Sequence, residues 1–183
     1  MMVYVRQKSP IYLTSKSYRD GIVRMSDISL DLIDLELLKQ LQVDADRSNV
    51  ELARLVGLSP TATLHRVRRL KTTGIIRAVV AELDATLAGF PLHVYLLVTI
   101  ERHDDAGHRR FMAAVQAMPE VTAADWVTGE IDAILVVAAR EVAELQRVIM
   151  RLSSRGGATR VTTLLRLEQL KANSPLPLSS SDR

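Results

Sequence analysis

The apolar residues of this 183-residue chain recur at two different periods, and the change falls in a short run of turn residues. Up to Leu70 they return every three or four positions, as on one face of a helix; from Leu92 they alternate, as on one face of a strand. No single element type satisfies both periods. The chain therefore predicts an α+β protein with a helical domain first and a sheet-based domain second, joined by residues 84–91 (DATLAGFP).

In the first domain, Leu30, Ile33, Leu37, Leu38 and Leu41 mark one helix, with Asp31 and Asp34 suited to its cap and first turn. Ser48-Asn49-Val50-Glu51 is a capping box that starts a second helix, and Gly57 ends it. Ser59-Pro60 starts a third, because Ser caps and Pro at the first helical position forfeits no hydrogen bond; this helix runs to about Thr73. Ile75 to Leu83 is β-branched and half-alternating, which predicts a strand pair or wing and completes a winged helix-turn-helix over residues 25–83.

The second domain, residues 92–172, reads as strand (His93–Glu101), helix (Asp104–Met118), two strands (Val121–Thr128 and Asp132–Ala139), helix (Val142–Leu152), loop (SSRGGAT, 153–159) and last strand (Arg160–Glu168). This order suits a ferredoxin-like βαββαβ sandwich with helices on one face of the sheet. The strands carry apolar residues on both faces, since Tyr95 and Leu97 oppose the Val94 row and 133–139 has no polar side. A second copy of the same sheet is the economical cover, which predicts a homodimer. Residues 1–24 hold five basic groups and one acidic group without sustained periodicity and read as a flexible basic tail, with Met25 an alternative chain start; 173–183 reads as a second flexible tail.

Several chemistries are excluded or disfavoured. The absence of cysteine removes disulfides, thiolate metal sites and cysteine nucleophiles. The longest apolar runs fall well short of the roughly 20 residues that span a bilayer, and no secretory apolar core follows the basic N-terminus, so a cytoplasmic product is expected. His103-Asp104-Asp105 with His108 reads as a loop entering a helix rather than a metal site, because the two histidines are five apart and miss helical ligand spacing. Trp126 reads as a sheet-surface residue. No phosphate loop or nucleophile–base pair is evident, and neither cofactor nor metal is expected.

Function concentrates in the third helix. Residues 52–81 contain Arg54, Arg66, Arg68, Arg69, Lys71 and Arg77 and no Asp or Glu. At about 100° per residue, Leu64, Val67 and Leu70 share one stripe, while Thr61, Ala62, His65, Arg66, Arg68, Arg69 and Thr72 spread over the opposite side and face water. Such a face suits double-stranded DNA. Arginine binds phosphate or a guanine edge bidentately, Thr61 and Ala62 are short enough to approach base edges, and Ser59 with the helix N-terminus suits a phosphate.

Leu30 to Leu83 closely resembles the winged helix-turn-helix of the Lrp/AsnC (leucine-responsive, feast/famine) family, through LDLIDLELLKQLQ and SNVELARLVGLSPTATLHRVRRLKTTGIIR, and His93 to Lys171 resembles that family's ligand-sensing and oligomerisation domain. The resemblance implies a sequence-specific transcription regulator without enzymatic activity, in which Ser59, Thr61, Ala62, His65, Arg66, Arg68 and Arg69 meet DNA in the major groove. It also implies a homodimer that assembles to tetramers or octamers. A G-x-x-D turn, found here as Gly129-Glu130-Ile131-Asp132, lies in relatives near the site of an amino acid or small-metabolite effector. Glycine lets backbone amides converge on a carboxylate, and Glu130 or Asp132 can receive an ammonium; the same four residues also make a plain hairpin turn in which Asp132 caps local backbone. SSRGGAT departs from the Leu-Pro-Gly-Val type of approach usual before the family's last strand. Siroheme decarboxylases share the two-domain architecture and are the enzymatic alternative, although they need no basic DNA-reading face.

Overall fold

The computed structural model of the protein describes residues 29–178 apart from Arg102. The basic tail expected over residues 1–24 lies outside the described residues, as do 179–183. The described residues form two units, one of 29–79 with 175–178 and the other of 80–174.

The helical unit contains α1 (Leu32–Val43), α2 (Asn49–Val56) and α3 (Pro60–Thr72). Each start follows its sequence signal. Asp31 and Asp34 form a reciprocal capping box on α1, Ser48 and Glu51 form another on α2, and the Ser59 hydroxyl accepts the Ala62 N–H on α3 with Pro60 in the first turn. Gly57 ends α2 at φ 69°, and the Leu58 N–H reaches back to the Ala53 carbonyl at 3.0 Å, so three residues suffice to turn into α3. Leu37, Leu38, Leu52, Val67 and Leu70 form the core. On α3 the buried stripe is Thr63, Val67 and Leu70, with Leu64 only half-buried, so the inward face is rotated slightly from the aliphatic pattern.

The strand pair expected over Ile75–Leu83 does not form among the described residues. Ile75 and Ile76 fold back onto the helical core, with the Ile76 N–H donating to the Leu70 carbonyl at 3.0 Å. Residues 77–83 are exposed. A strand requires a partner for its amides and carbonyls, and no described segment of this chain pairs with this one. The linker, by contrast, is organised: Asp84 accepts the Leu87 N–H on its side chain and the Ala88 N–H on its carbonyl, both at 2.9 Å.

The expected C-terminal tail also has partners as far as it is described. The Leu176 N–H donates to Gln42 Oε1 on α1 at 2.6 Å, Gln42 Nε2 donates to the Leu176 carbonyl at 3.4 Å, and Leu178 packs against the core of the helical unit.

The second unit contains β1 (Leu92–Ile100), α4 (Asp105–Gln116), β2 (Val121–Trp126), β3 (Ala133–Ala139), α5 (Val142–Arg151) and β4 (Ala158–Leu165). The sheet order is β2-β3-β1-β4, antiparallel throughout, as the βαββαβ reading requires. Val94, Leu96, Val98 and Ile100 point to the helix side and pack with Phe111 of α4 and Val148 of α5. Opposite them, Tyr95 pairs with Val136 and Leu164, and Leu97 with Ile134, giving an apolar second face on which Tyr95 and Leu164 stay exposed. The loop expected at 153–159 is instead a π-helical turn over Leu152–Gly156 that closes at Gly157, φ 75°. Arg110 secures it by donating to the carbonyls of Arg155 at 2.7 Å and Ser154 at 3.1 Å. Gly156 seats against α4, where a Cβ would stand 3.4 Å from the Phe111 ring, an ordinary packing distance.

Candidate nucleic-acid interface and effector turn

The two faces of α3 have different partners. Inward, Val67 and Leu70 hold the helix to α1 and α2. Outward, Ser59, Thr61, His65, Arg68 and Arg69 are exposed, and Ala62 and Arg66 half-buried. Ala62, His65, Arg66 and Arg69 line an open groove together with Asp31. The sequence-predicted residues thus share one side of one helix, and the N-cap residue of α1 joins them.

That residue belongs to an ion cluster which the acid-free character of 52–81 conceals. Asp34 is fully buried, and its carboxylate accepts from Arg66 Nη1 at 2.9 Å, from Arg69 Nη2, and from the Asp31 N–H at 3.1 Å. Asp31 accepts the Asp34 N–H at 2.8 Å on one oxygen and Arg66 Nη1 at 2.6 Å on the other. A buried carboxylate is tolerated only when paired and hydrogen-bonded, and the two arginines supply both. The Asp34 N–H foremost, and the Arg66 guanidinium next, hold the Asp31 carboxyl below its ordinary value; Asp31 first and Asp34 second hold Arg66 above its own.

Arg66 and Arg69 therefore do not simply face water, as the helical projection suggests. They are structural partners of α1 as well as members of the outward face. One signal available in the sequence is a match of spacing: Asp31 and Asp34 are three apart on one helix, as are Arg66 and Arg69 on another. Arg68 makes no ion pair among the described residues and is the exposed cation of this face best placed to meet an external anion.

The Gly-x-x-Asp turn lies between β2 and β3. Gly129 has φ 124°, a conformation favouring glycine, and Gly129 and Glu130 are exposed, while Ile131 and Asp132 are half-buried. Asp132 has protein partners already: its Oδ2 accepts the Ile100 N–H at 2.8 Å, and His103 Nδ1 lies 3.4 Å from its Oδ1. Its N–H donates to the Val98 carbonyl and its carbonyl accepts the Val127 N–H, both at 2.9 Å, so it ties the turn to the end of β1. Next to Ile100 is a recess of about 120 Å³ lined by Glu101, Gly107, Arg110 and Gly157 among others. His108 and Phe111 meet the Trp126 ring at centroid distances of 4.9 and 5.1 Å, so Trp126 covers the helix side of edge strand β2. Among the described residues no group of three or more His, Asp or Glu side chains is arranged to hold a metal. No described helix is long and apolar enough to cross a membrane.

The ion cluster predicts a stability cost at Arg69. Arg69→Ala leaves part of the buried Asp34 carboxylate unsatisfied and lowers unfolding free energy by roughly 1–3 kcal/mol. Urea unfolding followed by circular dichroism measures it; an unchanged midpoint would show that the pair contributes nothing.

Comparison with known proteins agrees with both units. Residues 30–71 match the AsnC-type helix-turn-helix domain, and residues 93–176 match the Lrp/AsnC ligand binding domain. A leucine-responsive regulatory protein of Rhizobium meliloti is 37% identical over 145 residues, 79% of this chain and 93% of the relative. The HTH-type transcriptional regulator AldR of Mycolicibacterium smegmatis is 33% identical over 148 residues, 80% of this chain and 86% of the relative. Among solved structures, a transcriptional regulator of Neisseria meningitidis in complex with L-Met superposes with a TM-score of 0.75 at 29% identity, covering 81% of this chain and 97% of that one. A helix-turn-helix with an outward cationic face and a βαββαβ unit in that order, matched over both segments, make this chain a member of the Lrp/AsnC family of transcriptional regulators.

Proposed function

We propose that α3 reads duplex DNA through Ser59, Thr61, Ala62, His65, Arg66, Arg68 and Arg69, and that an amino acid or related small metabolite tunes this activity through the sheet unit. The observation that carries the reading is the outward face of α3, where short, hydroxyl-bearing and cationic side chains stand together on a helix anchored from behind. Arg68 serves as the plainest phosphate or base contact, and Arg66 and Arg69 engage DNA from within the α1–α3 ion cluster. The reading as a non-catalytic, cytoplasmic protein rests on the family.

The apolar face of the sheet supports a homodimer. Tyr95, Leu97, Ile134, Val136 and Leu164 form a patch whose natural cover is its own symmetry mate. Two copies of α3 would then reach successive major grooves about 34–36 Å apart, or a multiple of that, and dimers assemble further into tetramers or octamers. The effector contacts Gly129, Glu130, Ile131 and Asp132. Glu130 offers an exposed carboxylate to an ammonium, and the nearby recess adds Glu101 and Arg110, opposite charges suited to the two ends of a zwitterion. An effector shifts the assembly or its DNA affinity only if it binds the alternative states unequally.

Three measurements test these parts. Arg68→Ala leaves the melting temperature unchanged, weakens duplex binding and flattens the salt dependence of log K by about 0.9; unaltered binding and slope would remove the assigned face. A melting-temperature screen of the twenty amino acids yields at least one that stabilises the protein, since a ligand of the native state raises its midpoint; no stabilisation by any of them would oppose an amino acid effector. Val136→Arg places a charge in the sheet face and sediments as a monomer where the parent protein sediments as a dimer or larger. A dimer in the variant would move the interface elsewhere.

A further inference from the structure

The two acids of the α1 cap hold the same arginine but do different work. Asp34 has a side-chain exposure of 1%, engages both arginines, and cannot be removed without leaving a buried gap in the polar network. Asp31 has a side-chain exposure of 51%, and the oxygen it turns to Arg66 duplicates a contact that Asp34 already makes. An exposed ion pair adds little stability. The other role of Asp31, accepting the Asp34 N–H as the N-cap, needs no charge, because Asn and Ser cap as well as Asp. The negative charge at residue 31 therefore adds only modestly to the stability of the fold.

It lies where an external anion would arrive. Asp31 lines the same groove as Ala62, His65, Arg66 and Arg69. The two carboxylates balance the two guanidiniums, so this half of the ridge carries no net charge, and the net cationic charge of α3 falls to Arg68 and Lys71. We propose that Asp31 is a specificity-determining residue of the DNA-binding ridge: its carboxylate occupies Arg66 in place of a phosphate and selects against duplexes that offer only backbone charge. A phosphate approaching Arg66 meets this charge and is repelled by it. Base-edge contacts on a matched site offset that cost, whereas a mismatched site has only its phosphates to set against it. The inference rests on the DNA-binding reading of α3.

Asp31→Asn and Asp31→Ser keep the cap and remove the charge. The test titrates parent and variant proteins with a duplex of scrambled sequence across a range of salt, with thermal melts alongside. Both variants are expected to bind this duplex about three- to tenfold more tightly at low salt, with a slope of log K against log salt steeper by about 0.9. Their advantage then shrinks by about threefold between 50 and 200 mM salt. Equal or weaker binding with an unchanged slope in a folded variant overturns the proposal. So does unfolding of both variants, which would make Asp31 a structural residue. If the parent protein itself ignores duplex DNA at low salt, the DNA-binding reading fails, and that outcome is seen in the parent titration alone.

Discussion

A carboxylate buried without compensation costs several kcal/mol, and Asp34 lies at the junction of α1 and α3 with no access to water. Its compensation comes from Arg66, Arg69 and one backbone amide, so the two helices are held by charge as well as by Leu37, Leu38, Val67 and Leu70. The apolar contacts are non-directional. The guanidinium contacts are directional, and they add to the buried stripe Thr63, Val67 and Leu70 in setting the rotation of α3 about its own axis. The orientation in which the helix offers its remaining side chains to a ligand is thereby decided within the protein, before any ligand is met.

Features encoded within one segment were legible in the sequence. The Ser48–Glu51 box, Ser59-Pro60 and Gly57 each act within about one turn, and each bounds a helix where expected. Alternation in β1 and the order of elements identified the βαββαβ sheet, because the side-chain period of a strand is a local property. Features that depend on which segments meet were not legible. Ile75–Leu83 has strand composition but no described partner, Thr63 takes the buried position that its neighbour Leu64 was expected to hold, and the acids that pair with the ridge come from about 35 residues away. The electrostatics of the α3 ridge are of the same kind: periodicity tells which way a side chain points, not what it finds there.

The two faces of the sheet differ in how they are covered. Its helix side is closed by Phe111, Val148 and Leu152, all nearly inaccessible. Its other side keeps Tyr95 and Leu164 exposed. Between them, Asp132 fastens the β2–β3 turn to the end of β1, a strand in the interior of the sheet. The Gly156-Gly157 approach to the last strand is held by Arg110, which caps the π turn.

The helical unit draws on two stretches of chain far apart in sequence, since Gln42 of α1 bonds to Leu176 and Leu178 seats on the helical core. During synthesis, domains generally fold in order from the N-terminus. Here the helical unit gains its contacts with residues 176–178 only after the intervening sheet unit has been translated. A product that stops before residue 175 would carry α3 on a support without these contacts.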